Sequence, residues 1–170
     1  MTAINRRFIN EIDSLNSPIQ MVKPSRQKWV KNFDKDSFIL SDYSDTNVIF
    51  AAIIDKYVIP ITISINSKGN RYGSPYPFRP PKINVGIYEY KSLLHINKFA
   101  LDILKIKCMC CSTLLCGHNW KPQNTIVDLL TEVKKNMEIK LRGVEIYHTV
   151  KIVDKYLGDA FRCLPILEFI

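Results

Sequence analysis

The sequence lacks any long uninterrupted apolar run. Hydrophobic residue types make up 46% of its 170 residues, which is an ordinary share for a chain that buries a core. No stretch approaches the roughly 18 consecutive apolar residues that a membrane helix needs. The first residues carry Arg6, Arg7 and Glu11 among scattered apolar residues, which is not the pattern of a signal peptide. We therefore expect an intracellular protein, cytoplasmic or nuclear, that has no membrane partner.

Evenly spaced cysteines are also lacking. Four of the five cysteines lie between Cys108 and Cys116, and the fifth is Cys163. An odd and clustered set argues against the disulfide framework of a small secreted protein. In a reducing compartment such a cluster indicates a nucleophile, a metal site or small apolar packing.

Acidic residues are fewer than basic ones. The chain has 16 Asp and Glu against 24 Lys and Arg, which gives a net charge of +8 and favours acidic partners. The basic residues are spread along the chain without a block of about five or six, as on an ordinary solvated surface. Nucleic acid is therefore not expected as a partner.

Apolar periodicity predicts helices at both ends of the chain and strands between them. Residues 4–15 have helical spacing and stop at Asn16-Ser17-Pro18, and residues 125–139 and 146–161 form two more helical stripes separated by Gly143. Strand signals cover residues 38–40, 47–54, 57–65 and 82–88. This order predicts an α+β fold with a four-stranded antiparallel meander. No repeat or linker divides the chain, so we expect one domain over residues 1–170, with its core at roughly 4–161 and an apolar C-terminal tail.

Prolines and aromatic residues are concentrated in the segment Tyr76-Pro77-Phe78-Arg79-Pro80-Pro81-Lys82. Each proline fixes its own φ and restricts the residue before it, so the segment is stiff and cannot be helical. We expect a rigid loop that packs Tyr76 and Phe78 into the core and leads into a strand.

This proline segment resembles the Tyr-Pro-Phe-x-Pro-Pro-Lys motif of ubiquitin-conjugating enzymes. His95-Ile96-Asn97 and Trp120-Lys121-Pro122 are similar to the family's His-Pro-Asn and Trp-x-Pro motifs, although Ile96 stands where the family usually has proline. The resemblance covers roughly residues 4–161 and is weakest over 98–118. It implies the ubiquitin-conjugating fold, in which an N-terminal helix, the meander, an active-site loop and C-terminal helices follow one another.

The resemblance also implies a reaction. Such an enzyme receives ubiquitin, or a ubiquitin-like modifier, from a ubiquitin-activating enzyme as a cysteine thioester. It passes the modifier to an amine of a protein substrate, usually with a ubiquitin ligase. Asn97 would stabilise the oxyanion of the transfer step or order the adjacent loop, and His95 would hold the active-site loop. No cofactor and no metal are expected.

The resemblance implies that one of the clustered cysteines is the nucleophile. Met109 after Cys108 matches the large apolar residue that follows the family's cysteine, whereas the spacing to Trp120 fits Cys111 better. We expect Cys108 to be the nucleophile, with Cys111 as the first alternative and Cys110 as the second.

Partner surfaces follow from the resemblance as well. The matching places are the first helix, the loop before the proline segment and the loop after the tryptophan, represented by Arg6, Arg7, Tyr72, Pro122 and Gln123.

Two other hypotheses remain open. The chain could be a catalytically inactive relative that binds ubiquitin or a ligase. It could also be a basic nucleic-acid module with a zinc site, whose candidate ligands are Cys108, Cys110, Cys111, Cys116 and His118.

Overall fold

Helices flank a central run of strands. The computed structural model describes residues 3–65, 76–96 and 98–157. Helix α1 spans Ala3–Asn16 and is followed by a 3-10 turn at Ile19–Met21 and the short helix α2 at Pro24–Gln27. Strands β1 to β5 span Phe38–Tyr43, Asn47–Ile54, Tyr57–Ser64, Lys82–Val85 and Tyr88–Glu89. Helices α3 to α6 span Tyr90–Leu93, Lys98–Ile103, Met109–Ser112 and Ile126–Leu157. The predicted α+β class is confirmed.

The strands form one antiparallel sheet in the order β1-β2-β3-β4-β5. The meander is therefore as predicted, but it has a fifth strand. The predicted strand over residues 82–88 is two strands, because Gly86 adopts φ 60° and turns the chain so that Val85 pairs with Tyr88. Glycine takes this left-handed conformation at no steric cost.

One face of the sheet is buried against the first and last helices. Residues at alternating positions of β2, β3 and β4 share one buried cluster with apolar residues of α1 and α6. The largest fully buried members of the cluster are Tyr90, Phe8, Ile12, Phe50, Ile54, Ile61, Ile63, Ile83, Ile126, Leu129 and Leu130. The apolar strand face, which repeats every two residues, thus packs against helix faces on which apolar residues repeat every 3.6 residues.

The proline segment enters the core at one residue. Tyr76 is 3% exposed, as predicted, whereas Phe78 is 63% exposed, so its predicted burial is wrong. Residues 76–79 form a turn and a bend instead of extended chain, and the Tyr76–Pro77 peptide bond is cis. The ring of Phe78 therefore lies at the surface.

Helix α6 continues through Gly143, so the predicted break is wrong. The helix has 32 residues and runs without interruption from Ile126 to Leu157. A Cβ atom placed on Gly143 would lie 3.5 Å from Cβ of Ala100 and 3.6 Å from Cγ2 of Ile96. The packing of α4 against this glycine therefore outweighs its low helix propensity, about 1 kcal/mol relative to alanine. No helix in the described residues combines the length and the apolar character needed to cross a membrane.

Candidate active site

Two of the motifs that were singled out in the sequence pack against each other. The indole Nε1 of Trp120 donates a hydrogen bond of 2.7 Å to the carbonyl oxygen of Pro77. The rings of Tyr76 and Trp120 have centroids 6.1 Å apart, and both residues are buried. The proline segment and the Trp-x-Pro motif therefore form one contiguous structure.

A buried carboxylate, Glu11, joins this structure to both long helices. Its Oε1 accepts hydrogen bonds of 2.7 Å from the hydroxyl of Tyr76 and from Nε of Arg7, and its Oε2 accepts one of 2.9 Å from the backbone amide of Ile126. Burial raises the pKa of Glu11, and the hydrogen bonds from Ile126, Tyr76 and Arg7 only partly oppose this effect. Sequence reasoning missed Glu11. The available signal was its position, since residue 11 falls on the apolar stripe that contains Phe8.

The guanidinium of Arg7 is directed into the protein. Besides Glu11, it donates to the carbonyl oxygen of Pro122 and, at 2.9 Å, to that of Asn124. It also lies over the ring of Tyr76, at 5.5 Å from the centroid. The structure thus gives Arg7, predicted as a partner-binding residue, a role in holding α1 against the loop that follows Trp120.

Three of the other four predicted partner-binding residues lie in the described part of the chain. Arg6, Pro122 and Gln123 are exposed, and the contacts of Arg7 bring their two segments together. Tyr72 lies outside the described residues.

The clustered cysteines surround the short helix α5. Cys108 precedes the helix and is joined by a disulfide bond to Cys110, with their Cα atoms 5.6 Å apart. Cys111 is exposed and free, and its Sγ lies 3.7 Å from Sγ of Cys110. Cys108, which we expect to be the nucleophile, is therefore bonded in this structure, and that role stays a prediction for the reduced protein. The turn into α5 brings residues 108 and 110 within the Cα separation of about 4.4–6.8 Å that a disulfide bond requires.

The backbone around α5 is held by side chains from elsewhere. Within α5, Met109 is buried in the core. After α5, Glu132 of α6 accepts hydrogen bonds from the hydroxyl of Thr113 at 2.5 Å and from the amide of Leu114 at 2.6 Å. Nδ2 of Asn119 donates to the carbonyl oxygens of Cys111 at 2.8 Å and Thr113 at 3.0 Å. The exposed sulfur atoms therefore stand on a fixed backbone.

The hydroxyl of Tyr90 completes the surroundings of Glu132. It donates a hydrogen bond of 3.1 Å to Glu132 and accepts one of 2.7 Å from the amide of Asn136. Burial, followed by the nearby charge of Glu132, raises the pKa of Tyr90, so the phenol stays a neutral donor.

The loop that contains His95 is held by Lys140 of α6. Its ammonium donates to the carbonyl oxygens of Leu93 at 2.7 Å and His95 at 3.2 Å, and its partial burial lowers its pKa. The side chain of His95, which we expect to hold the active-site loop, is exposed, and that role stays a prediction. Asn97 lies outside the described residues.

Helix α6 therefore positions both candidate loops. Glu132 holds the cysteine segment and Lys140 holds the His95 loop. The two residues are about two helical turns apart, roughly 12 Å along the axis.

Comparisons with protein-family models, with curated proteins and with solved structures find no match to this chain.

Proposed function

We propose that the chain is an intracellular ubiquitin-conjugating enzyme with the ubiquitin-conjugating fold. It carries ubiquitin, or a related modifier, as a thioester on Cys108 and transfers it to an amine of a protein substrate. The observation that carries this proposal is the exposed cysteine segment, whose backbone is held by Glu132 and Asn119. It occurs in a chain whose Tyr-Pro-Phe and Trp-x-Pro motifs pack on each other.

The reaction requires a reduced cysteine. A thiol reductant first opens the disulfide bond between Cys108 and Cys110. The Cys108 thiolate then attacks the carbonyl carbon of the modifier thioester on the activating enzyme, and the thiolate of that enzyme leaves. The nearby Lys105 and Lys107 are exposed cations, and positive charge favours the reactive thiolate form.

Transfer then goes to the substrate. The amine attacks the thioester carbonyl and forms a tetrahedral oxyanion, which collapses as the Cys108 thiolate leaves. A hydrogen-bond donor at the oxyanion, the role we assign to Asn97, is typically worth about 10²–10³ in rate.

The proposal also assigns a partner surface. Exposed Arg6 on α1 and exposed Pro122 and Gln123 would contact the activating enzyme and the ligase. Their segments are adjacent because Arg7 joins α1 to the carbonyl oxygens of Pro122 and Asn124.

A charging assay tests the proposal. The protein is reduced with a phosphine and incubated with activating enzyme, ubiquitin and ATP, and then analysed on non-reducing and reducing gels. We expect a thiol-sensitive band one ubiquitin heavier that Cys108→Ala abolishes, and Cys116→Ala serves as the matched control that retains it. Loss of the band in Cys111→Ala alone would move the nucleophile to Cys111. No band with ubiquitin or with ubiquitin-like modifiers would overturn the proposal.

A second candidate function is a catalytically inactive module that binds ubiquitin or a ligase. The disulfide bond favours it, because bonded Cys108 has no thiol to charge. Titration of ubiquitin in the absence of activating enzyme distinguishes the two functions. Binding without charging of the reduced protein would support the module, and charging of the reduced protein would exclude it.

A further inference from the structure

The cysteine segment has a second chemical property that the thioester reaction does not use. The sulfur atoms of Cys108, Cys110 and Cys111 all lie within 4.8 Å of one another. Among the described residues, they form the one group of three or more potential metal ligands at this spacing. Cys116 and His118, which the sequence offered as further zinc ligands, are not in the group.

The spacing of the sulfurs suits one metal ion. With zinc–sulfur bonds of about 2.3 Å in a tetrahedral site, two sulfurs on the same ion lie about 3.8 Å apart. Sγ of Cys110 and Sγ of Cys111 are 3.7 Å apart. These two residues therefore already have the separation of two ligands of one ion, and Cys108 lies beside them.

We propose that the reduced protein binds one thiophilic cation, Zn²⁺ or Cu⁺, through the thiolates of Cys108, Cys110 and Cys111. Two molecules of a small thiol supply the two electrons and two protons that reduce the disulfide bond and become one disulfide themselves, which leaves thiols at Cys108 and Cys110. Each of the three thiols then releases one proton to solvent as its sulfur binds the ion. Zn²⁺ keeps a fourth position for water, whereas three soft thiolates suffice for Cu⁺.

The surroundings of the three sulfur atoms favour binding in three ways. Met109, which lies between Cys108 and Cys110 in the sequence, is buried in the core, and Asn119 holds the carbonyl oxygen of Cys111. Little backbone freedom is therefore lost when the ion binds. Cys108 and Cys111 are exposed, and Cys110 is partly exposed, so the ion has a direct path from solvent. One cation also neutralises part of the charge of three adjacent thiolates.

Metal binding would compete with thioester formation. An ion on Cys108 occupies the sulfur that we propose as the nucleophile, so zinc or copper would inhibit charging. This consequence rests on the proposed function, whereas the metal site itself does not.

Metal titration of the full chain tests the site. The phosphine-reduced protein is titrated in one arm with Zn²⁺ against a chromogenic zinc chelator, and in a second arm with Cu⁺ against a chromogenic copper(I) chelator. We expect one equivalent per chain to be withheld from the chelator in at least one arm. We also expect this binding to be lost in Cys108→Ser, Cys110→Ser and Cys111→Ser. Cys116→Ser and Cys163→Ser are the matched controls, and both should retain it.

Two further measurements distinguish a lost metal ligand from a folding defect. Far-ultraviolet circular dichroism of each variant should match the wild type, and sulfur coordination by X-ray absorption should give three sulfur ligands. Failure of both arms in the wild type would overturn the site. Retention of binding in the variant that lacks all three cysteines, or equal loss in Cys116→Ser, would also overturn it. None of these outcomes depends on the charging assay.

Discussion

Glu11 and Arg7 join three distant parts of the chain through one small polar cluster. The carboxylate of Glu11 binds the hydroxyl of Tyr76 and the first amide of α6, and the guanidinium of Arg7 reaches the loop after Trp120. The pair has side chains only 22% and 2% exposed. Breaking such an ion pair leaves a buried charge and several polar groups without partners, and this costs far more than losing a surface ion pair.

Replacing Arg7 with methionine should therefore lower the free energy of unfolding by roughly 1–3 kcal/mol, the cost of leaving buried polar groups without a hydrogen bond. Arg6→Met is the matched control. Because Arg6 is exposed on α1, this substitution should change the free energy of unfolding by less than about 0.5 kcal/mol. Urea unfolding of both variants measures the difference. Equal stabilities would show that the internal contacts of Arg7 contribute nothing.

Helix α6 is the element on which most of the loops are positioned. Lys134 binds Asp34 at 2.9 Å and the hydroxyl of Ser37 at 2.6 Å, which holds the segment before β1. Glu132 and Lys140 hold the cysteine segment and the His95 loop. Its apolar face, meanwhile, lies in the core. A break at Gly143 would separate these contacts from the packing of α4.

Replacing Gly143 with alanine should stabilise the protein. Because a Cβ atom there makes ordinary van der Waals contacts with Ala100 and Ile96, Gly143→Ala should raise the free energy of unfolding by about 0.5–1 kcal/mol through helix propensity.

Gly86→Ala is the contrasting variant of the same chemical change. Its φ of 60° in the turn between β4 and β5 strains any side chain, so this substitution should lower stability by more than about 0.4–1 kcal/mol. Thermal or urea unfolding of the two variants measures whether each substitution raises or lowers the free energy of unfolding. A destabilised Gly143→Ala would mean that α4 cannot accommodate the methyl group.

At the scale of the whole molecule, stability depends on pH through two carboxylates whose pKa values are shifted in opposite directions by folding. Burial raises the pKa of Glu11 above its ordinary value of 4.5. Hydrogen bonds from Ser37 and Lys134 lower the pKa of Asp34 from 3.8 to about 2. Folding therefore favours the protonated form of Glu11 and the ionised form of Asp34.

The pH dependence of two variants should show this opposition. The folded state of the wild type binds the Glu11 proton more tightly than the unfolded state does. The stability difference between wild type and Glu11→Gln should therefore be largest below pH 4.5 and shrink as pH rises through the raised folded pKa. Urea unfolding over a pH series measures it. A difference that grows with pH would mean that Arg7 and the hydrogen bonds outweigh burial.

Asp34→Asn is the control of opposite sign. The contribution of Asp34 is present above its unfolded pKa of 3.8 and is lost as pH falls towards about 2. Its difference curve should therefore rise between about pH 2 and pH 3.8 and be level above that range, whereas that of Glu11→Gln falls only above pH 4.5.

Local patterns determined most of the secondary structure. Strand β2 has the predicted bounds, α1 lies within a residue or so of its predicted position, and the hairpin turn at Asp55-Lys56 occurs where the polar pair stands. The apolar spacing of a strand or an amphipathic helix is set by neighbours in the sequence, so it can be read without tertiary information. The concentration of cysteines around α5 could be read in the same way.

The tertiary structure decided the contacts between distant residues. Gly143 stays helical because α4 packs on it, and Arg7 faces inward because the loop after Trp120 supplies carbonyl oxygens. Glu11 is buried because Tyr76 and the start of α6 satisfy its carboxylate. Each outcome depends on a partner or a turn geometry that local propensity does not encode, which is the physical reason why the sequence alone could not settle it.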